Sequence, residues 1–399
     1  MFRALLARRR VLCVVAAGSG LAGCWGGGGP NPDQLGSTTP PAATQTAAPS
    51  ANAIGTGPVK VALVLPLTAS GNAGTVAQSM RNGAELAMAQ FETDIQVLPR
   101  DDAGNSATAQ QVTEQAIGDG AEIILGPLFS TSVQSVGQVA RARNIPVIAF
   151  STDSSVAGRG VYLLSLLPES DVTRIVDYAV SQGKRSFLAL IPDNAYGSVV
   201  ETEFRQDVAT KGGRIVAVER YSTSKPNELP RTVVQAAASA DVLFIPGDAD
   251  SVPAVVQALS VAGVNLRQMQ LLGTGLWEDQ RIFAAPLLQG AWYVAPDPSG
   301  PTNYKSFATR YRLKFGSEPA RTASLSYDAV TLVAALTKTQ GTKRFTPEVL
   351  TNASGFTGTD GVFRLRPDGT NQRGLAVLRV TPKGGEVVSP APRSFASGT

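Results

Sequence analysis

Short apolar runs alternate with amphipathic stretches along the chain from Val59 onward. Residues 59–65 are β-rich and stop at Pro66. In residues 76–91, Met80, Ala84, Ala87, Met88 and Phe91 recur at helical spacing, which predicts a helix with one apolar face. The same reading gives strands at 94–99, 121–125 and 146–150, and helices at 106–117 and 132–142. The order then restarts. Strands are expected at 186–191, 214–218, 241–245 and 270–272, with helices at 199–210, 229–238 and 251–262. Short buried strands joined by helices imply a parallel sheet covered on both faces.

The restart is audible in the residues themselves. Ile123-Ile124-Leu125-Gly126 leads through a polar loop to Ser132-Val133, a helix, and Pro146-Val147-Ile148. Val242-Leu243-Phe244-Ile245-Pro246-Gly247 leads likewise to Ser251-Val252, a helix, and Leu271-Leu272-Gly273. Two βαβ arrays of roughly 110–130 residues fit two lobes better than one large sheet. The remainder is too small for a third. It reads as a strand at 290–295, helices at 304–315 and 323–338, and a hairpin whose strands, 361–366 and 375–380, flank Pro367-Asp368-Gly369-Thr370. These segments are expected to return and complete the two lobes, with a hinge and a cleft between them.

The first 24 residues have a different character. A basic start is followed by an apolar stretch at 11–17 and then by small residues, the order of a secretory signal. The apolar run falls well short of the ~20 residues a bilayer-spanning helix needs. Leu21-Ala22-Gly23-Cys24 resembles the lipobox of bacterial lipoproteins. The resemblance implies that residues 1–23 are removed and that Cys24 is acylated, and two or more acyl chains hold a protein stably at a membrane. Residues 25–57 have Trp25, Leu35 and Ile54 as their only large apolar side chains, so they are expected to form a disordered tether. Residues 390–399 read as a frayed tail.

Charge and composition narrow the chemistry. The chain holds 35 Lys+Arg against 31 Asp+Glu, and the excess of four is Arg3, Arg8, Arg9 and Arg10. Without the leader the chain is neutral and has no basic run, so no nucleic-acid partner is expected. The chain has no histidine, which removes Ser-His-Asp and Cys-His catalysis and every His-containing zinc site. Of its two cysteines, Cys13 lies in the leader, leaving Cys24 without an internal disulfide partner. Ser222-Thr223-Ser224-Lys225 fits an S-x-x-K acylation motif, but Pro226 disfavours the helical turn that motif requires. Neither a phosphate-binding loop nor a dinucleotide fingerprint follows any strand. The expectation is a protein that is not an enzyme and carries no cofactor or metal.

Several stretches together resemble the type I periplasmic binding proteins of the leucine/isoleucine/valine-binding family. They are residues 59–71 (VKVALVLPLTASG), Asp101-Asp102, residues 126–132 (GPLFSTS), residues 145–152 (IPVIAFST), Asp193-Asn194-Ala195-Tyr196-Gly197 and residues 358–380. The match runs in order over 58–388. The resemblance implies an α/β, two-lobe, Venus-flytrap fold, each lobe a doubly wound parallel sheet. On that reading lobe 1 is 58–166, lobe 2 is 167–289, residues 290–355 return to lobe 1, and 356–389 close on lobe 2 as a hairpin. The family binds small polar ligands between its lobes and passes them to an ABC permease. The lipobox, the long tether and Gly126-Pro127-Leu128 also resemble a branch of envelope lipoproteins that activate penicillin-binding proteins. Both readings place the chain in the periplasm, lipid-anchored to the cell membrane or the outer membrane.

Ligands of open α/β sheets sit beyond the carboxyl ends of the strands, where free N–H groups favour an anion. Ser130, Thr131, Ser151 and Thr152 are therefore candidates for a ligand carboxylate, as the resemblance also implies. Thr131 and Gln134 equally have the spacing of a capping box, a purely structural role. Tyr196 could cover the ligand from lobe 2, with Thr274 on a neighbouring loop. Trp277 is expected in the core. Amino-acid binders of the family often carry an acid in the loop matching 273–276, and this chain has none before Glu278. Asp248, one loop earlier, is the candidate substitute for pairing an ammonium group. Asp101 and Asp102 are expected to be structural.

Overall fold

The computed structural model describes residues 52–90, 94–300 and 303–395. The leader, Cys24 and the tether up to residue 51 lie outside the described residues. The first lobe opens with β1 (Val59–Leu65), α1 (Asn72–Gln90), β2 (Ile95–Asp101), α2 (Ser106–Gly118), β3 (Ala121–Leu125), α3 (Ser130–Ala142), β4 (Val147–Ala149) and β5 (Val161–Leu163). The second follows with α4 (Pro168–Ser181), β6 (Ser186–Pro192), α5 (Ala195–Thr210), β7 (Arg214–Tyr221), α6 (Arg231–Ala237), β8 (Val242–Phe244), α7 (Val252–Val261), β9 (Gln270–Leu272), α8 (Gln280–Ala284) and β10 (Trp292–Ala295). After these come α9 (Tyr304–Phe315), α10 (Ala323–Gln340), α11 (Pro347–Leu350), β11 (Phe356–Gly358), β12 (Gly361–Leu365), β13 (Asn371–Arg373), β14 (Ala376–Thr381) and β15 (Gly384–Ser389).

The first sheet has the order β2-β1-β3-β4-β5, all parallel. The second contains β7-β6-β8-β9-β10 in the equivalent parallel order, extended by antiparallel β14 and β15. The sequence echo is thus a true repeat of topology. Burial follows from the two-sided cover. Along β1, Val61, Leu63 and Leu65 face one core with α1 and α10, while Ala62 and Val64 face the other with α2 and α3. Along β6, Leu188 and Leu190 alternate in the same way with Phe187, Ala189 and Ile191.

The lobe boundaries differ from expectation in two places. Strand β10 pairs with β9 and β14, so the return to the first lobe comes after Ala295 rather than at residue 290. The closing segment is also split. β12 pairs with β13, not with 375–380, in a separate three-stranded sheet whose Phe363 and Leu365 belong to the first lobe's core. Only β14 and β15 join the second lobe. The turn around Asp368-Gly369 leads into a return strand of three residues, Asn371–Arg373, and the apolar strand that follows belongs to another sheet. Beyond β15, the Ala391 N–H donates to Asp297 at 3.2 Å, and the Arg364 guanidinium lies 5.0 Å from the Phe395 ring centre.

Among the described residues the chain therefore crosses between lobes three times: after β5, after β10, and between β13 and β14. Among the described residues no helix is long and apolar enough to cross a membrane.

Candidate functional site

Each parallel sheet reverses its strand order beside its first strand, and the loops there carry most of the residues singled out from sequence. Ser130 and Thr131 follow β3, Tyr196 follows β6 and Asp248 follows β8, while Ser151 and Thr152 follow β4 and Thr274 follows β9.

The local chemistry of these loops is varied. Helix α3 begins at Ser130 with Phe129 in the capping position and no side-chain cap, so the capping box expected at Thr131 and Gln134 is not formed. Thr131 is already inside the first turn, where its hydroxyl is misplaced for capping. The Ser151 hydroxyl accepts from the Asp153 N–H at 3.1 Å, and Thr152 is exposed. Asp101 binds the loop after β1, accepting from the Thr68 N–H at 3.2 Å and the Thr68 hydroxyl at 2.6 Å. Asp102 is fully buried and accepts from the Gly104 N–H at 2.9 Å, and burial raises its carboxyl pKa. Both acids hold the loop together, as expected. Asp248 accepts from both the N–H (3.0 Å) and the hydroxyl (2.9 Å) of Ser251, at the start of α7. Trp277 is fully buried with its ring N–H donating to the Ile245 carbonyl at 3.1 Å, which is a core position.

Of the seven candidates, Tyr196 and Thr274 are joined directly, their hydroxyls 2.8 Å apart. Burial, reinforced by the nearby Asp171 charge, pushes the Tyr196 hydroxyl up in pKa. Among the described residues no hydrogen bond links Ser130, Thr131, Ser151, Thr152 or Asp248 to that pair. The S-x-x-K segment lies outside any helix, with Ser222 bonded to Ser224 (2.9 Å) and Lys225 paired with Glu228 (3.0 Å).

A cavity of about 630 Å³ opens beside Tyr196, and residues at all three crossings line it. Leu166 and Leu167 come from the first crossing, Pro296 and Asn303 from the second, and Arg373 and Leu375 from the third. Its charged wall was not foreseen from sequence. Asp171, in the first turn of α4, accepts from the Gly275 N–H at 2.8 Å. A carboxylate thus reaches the acid-free loop at 273–276 from another element. Burial pushes the Asp171 carboxyl up to about 7, against the Gly275 N–H and the Arg373 charge, which pull it down. Asp360, fully buried, takes two bonds from Arg321, at 2.7 and 2.9 Å, and one from the Ser324 hydroxyl at 3.0 Å. Arg321 also stacks 4.4 Å from the centre of the Tyr304 ring. Glu278 is engaged with the Tyr293 hydroxyl at 2.6 Å.

Two sheets with parallel strands in like order, joined by three crossings that wall a cavity, define a two-lobe fold with a cleft at the crossings. The sequence profile of the periplasmic binding protein family matches residues 58–386, and the chain belongs to that family, in its type I, leucine-binding form. It is 28% identical over 174 residues to the penicillin-binding protein activator LpoA of Vibrio cholerae, an alignment covering 42% of this chain and 28% of that one. The chain thus matches little more than a quarter of that relative's length. In fold it is similar to a putative branched-chain amino acid ABC transporter protein from Rhodospirillum rubrum (TM-score 0.73, 16% identity, 83% of this chain and 99% of the other). It is also similar to the leucine-binding protein LivK of Thermotoga maritima (TM-score 0.56, 17% identity, 83% and 98%).

Proposed function

We propose that this protein is a substrate-binding receptor of an ABC-type importer, lipid-anchored in the periplasm through Cys24, that takes a small amino-acid-like ligand between its lobes. The observation that carries this reading is the cavity at the crossings, where Tyr196 and Asp171 from the second lobe face Tyr304 and Arg321 from the first. An ammonium group taken out of water requires a counter-charge. Asp171 supplies one on the loop where the sequence has none, and it replaces Asp248 in that role. Ser130, Thr131, Ser151 and Thr152 remain the first lobe's candidates for contact once the lobes close. Closure follows if ligand contacts from both lobes favour the closed state over the open one.

The test is thermal unfolding against amino acids, short peptides and cell-wall fragments. A ligand at a hundredfold its dissociation constant stabilises by about 2.7 kcal/mol, which moves the midpoint by a few degrees. A shift abolished by Asp171→Asn supports a receptor of amine-bearing ligands.

A second reading rests on the sequence similarity to the Vibrio cholerae activator. In it the chain is an envelope lipoprotein that binds and activates penicillin-binding proteins and has no transport role. No thermal shift across the panel, together with recovery of a penicillin-binding protein on the immobilised chain, favours that reading.

A further inference from the structure

Arg373 is a buried charge whose guanidinium is only partly satisfied. Only 5% of it is exposed. Its Nε donates to the Ser165 carbonyl at 2.9 Å, while Nη1 and Nη2 have no hydrogen-bond partner. A buried guanidinium is rarely left this way, because unpaired buried donors cost more than a formed bond returns.

The surroundings show which acids face it. Arg321 already holds Asp360 at both oxygens, with Ser324 as a third donor. Asp328, on α10, accepts from the N–H (2.8 Å) and the hydroxyl (2.5 Å) of Thr359, and its second oxygen is unpartnered. Asp171, on α4, uses one oxygen on Gly275, and among the described residues no hydrogen bond reaches the other. Arg373 interacts electrostatically with Asp360, Asp328, Arg321 and Asp171. Asp171 in turn feels Glu169 on its own helix, and its charge reaches Tyr196 on α5.

These acids differ in which body they ride on. Asp328 and Asp360 move with the first lobe, as Arg373 does. The Arg373 strand is fixed there by Asn371, which donates to the Leu163 and Ser165 carbonyls at 3.0 Å each, and by the Phe363 ring beneath the guanidinium. Asp171 rides on the second lobe through α4 and the Gly275 loop. Of these acids Asp171 alone sits on the lobe opposite Arg373, so a rotation of the lobes would alter that separation and not the others, and both residues line the cavity at the crossings.

We infer that Arg373 and Asp171 are the two halves of a latch across the hinge: their side chains are not hydrogen-bonded in this arrangement of the lobes, and they pair when the lobes rotate toward one another. The latch rests on the two-lobe closure of the proposed receptor, but its test needs no ligand, so the two ideas fail separately. Pairing requires an ionised Asp171. Because burial holds that carboxyl near pH 7, the latch engages as pH rises from 5.5 to 8.5 and releases on acidification.

The experiment measures spin-label distances in the full chain carrying Cys13→Ser and Cys24→Ser, with labels at Gln111→Cys on α2 and Ala209→Cys on α5, both exposed. The expected result is a shift of several ångströms toward shorter distances between pH 5.5 and pH 8.5. Asp171→Asn, which keeps an acceptor for Gly275, should abolish that shift, and Asp171→Glu should restore it. Arg373→Lys should weaken it, and Asp328→Asn should leave it in place. Circular dichroism confirms that each variant is folded. A pH response unchanged in Asp171→Asn, no response in the parent chain, or a response lost in Asp328→Asn instead would each overturn the latch.

Discussion

The Tyr196 and Thr274 hydroxyls lie 2.8 Å apart, with Thr274 fully buried, so the loop after β6 is tied to the loop after β9. Two positions distant in sequence thus form one unit, Tyr196 in the cavity wall and Thr274 buried behind it. Removing one partner leaves the other hydroxyl without a bond in a dry place. Tyr196→Phe and Thr274→Val should each lower stability by about 1 kcal/mol, and the double variant by less than the sum. A double-mutant cycle in urea measures this, and additive losses would show that the two hydroxyls do not depend on one another.

Gly273 is fixed by a neighbour rather than by its backbone angles. A Cβ there would stand 2.1 Å from the Trp277 ring, and that ring is pinned by its bond to the Ile245 carbonyl. Gly273→Ala therefore forces the indole out of place, at a cost of about 1–3 kcal/mol. The expected readout is a lower unfolding midpoint with a red-shifted tryptophan emission. An unchanged midpoint would mean that the loop yields freely.

How much of this was legible in the sequence depends on the range of the interaction. Strands such as Val59–Leu65, Ala121–Leu125 and Gln270–Leu272 stand where the apolar runs placed them, because burial on both faces leaves a local imprint. Helix α4 is absent from the expected elements, although Val172, Ile175, Val176 and Ala179 recur at helical spacing after Pro168. With it went Asp171, the acid nearest the loop that lacks one. Arg373 left a fainter trace: Asn371 and Arg373 alternate as buried polar residues along a strand. Their partners, Ser165 and Leu163, lie some 200 positions away and cannot be inferred from local pattern. Tyr196 and Thr274 were each named, but nothing in the chain announced that they touch.

Arg321 is the principal counter-charge of Asp360, whose carboxylate is wholly buried. Truncating Arg321 to alanine leaves that charge with the Ser324 hydroxyl as its side-chain donor and the more distant Arg373 charge. The Arg321 side chain is 39% exposed, so water entering the gap offsets part of the loss. Arg321→Ala should cost about 2–3 kcal/mol, while the double variant Arg321→Met/Asp360→Asn should recover much of it. Chemical denaturation distinguishes the two, and equal losses would assign the effect to packing on Tyr304 rather than to charge.

Asp328 should make the protein less stable as pH rises from acid to neutral. Burial, with the Asp360 charge adding to it, pushes its carboxyl up to about 7 from an ordinary value of 3.8, although Thr359 donates to it twice. A carboxyl whose pKa is higher in the folded state binds its proton more tightly there. Its contribution is therefore complete below pH 4 and is lost as pH climbs through 7. Asp171 adds in the same direction. Asp328→Asn keeps an acceptor for Thr359 and removes the titration. Between pH 5 and pH 8 the parent chain should lose about 1–3 kcal/mol more than this variant, measured as urea unfolding free energies at the two pH values. Equal losses in both chains would mean that Asp328 is ionised throughout, with its charge balanced by Arg373.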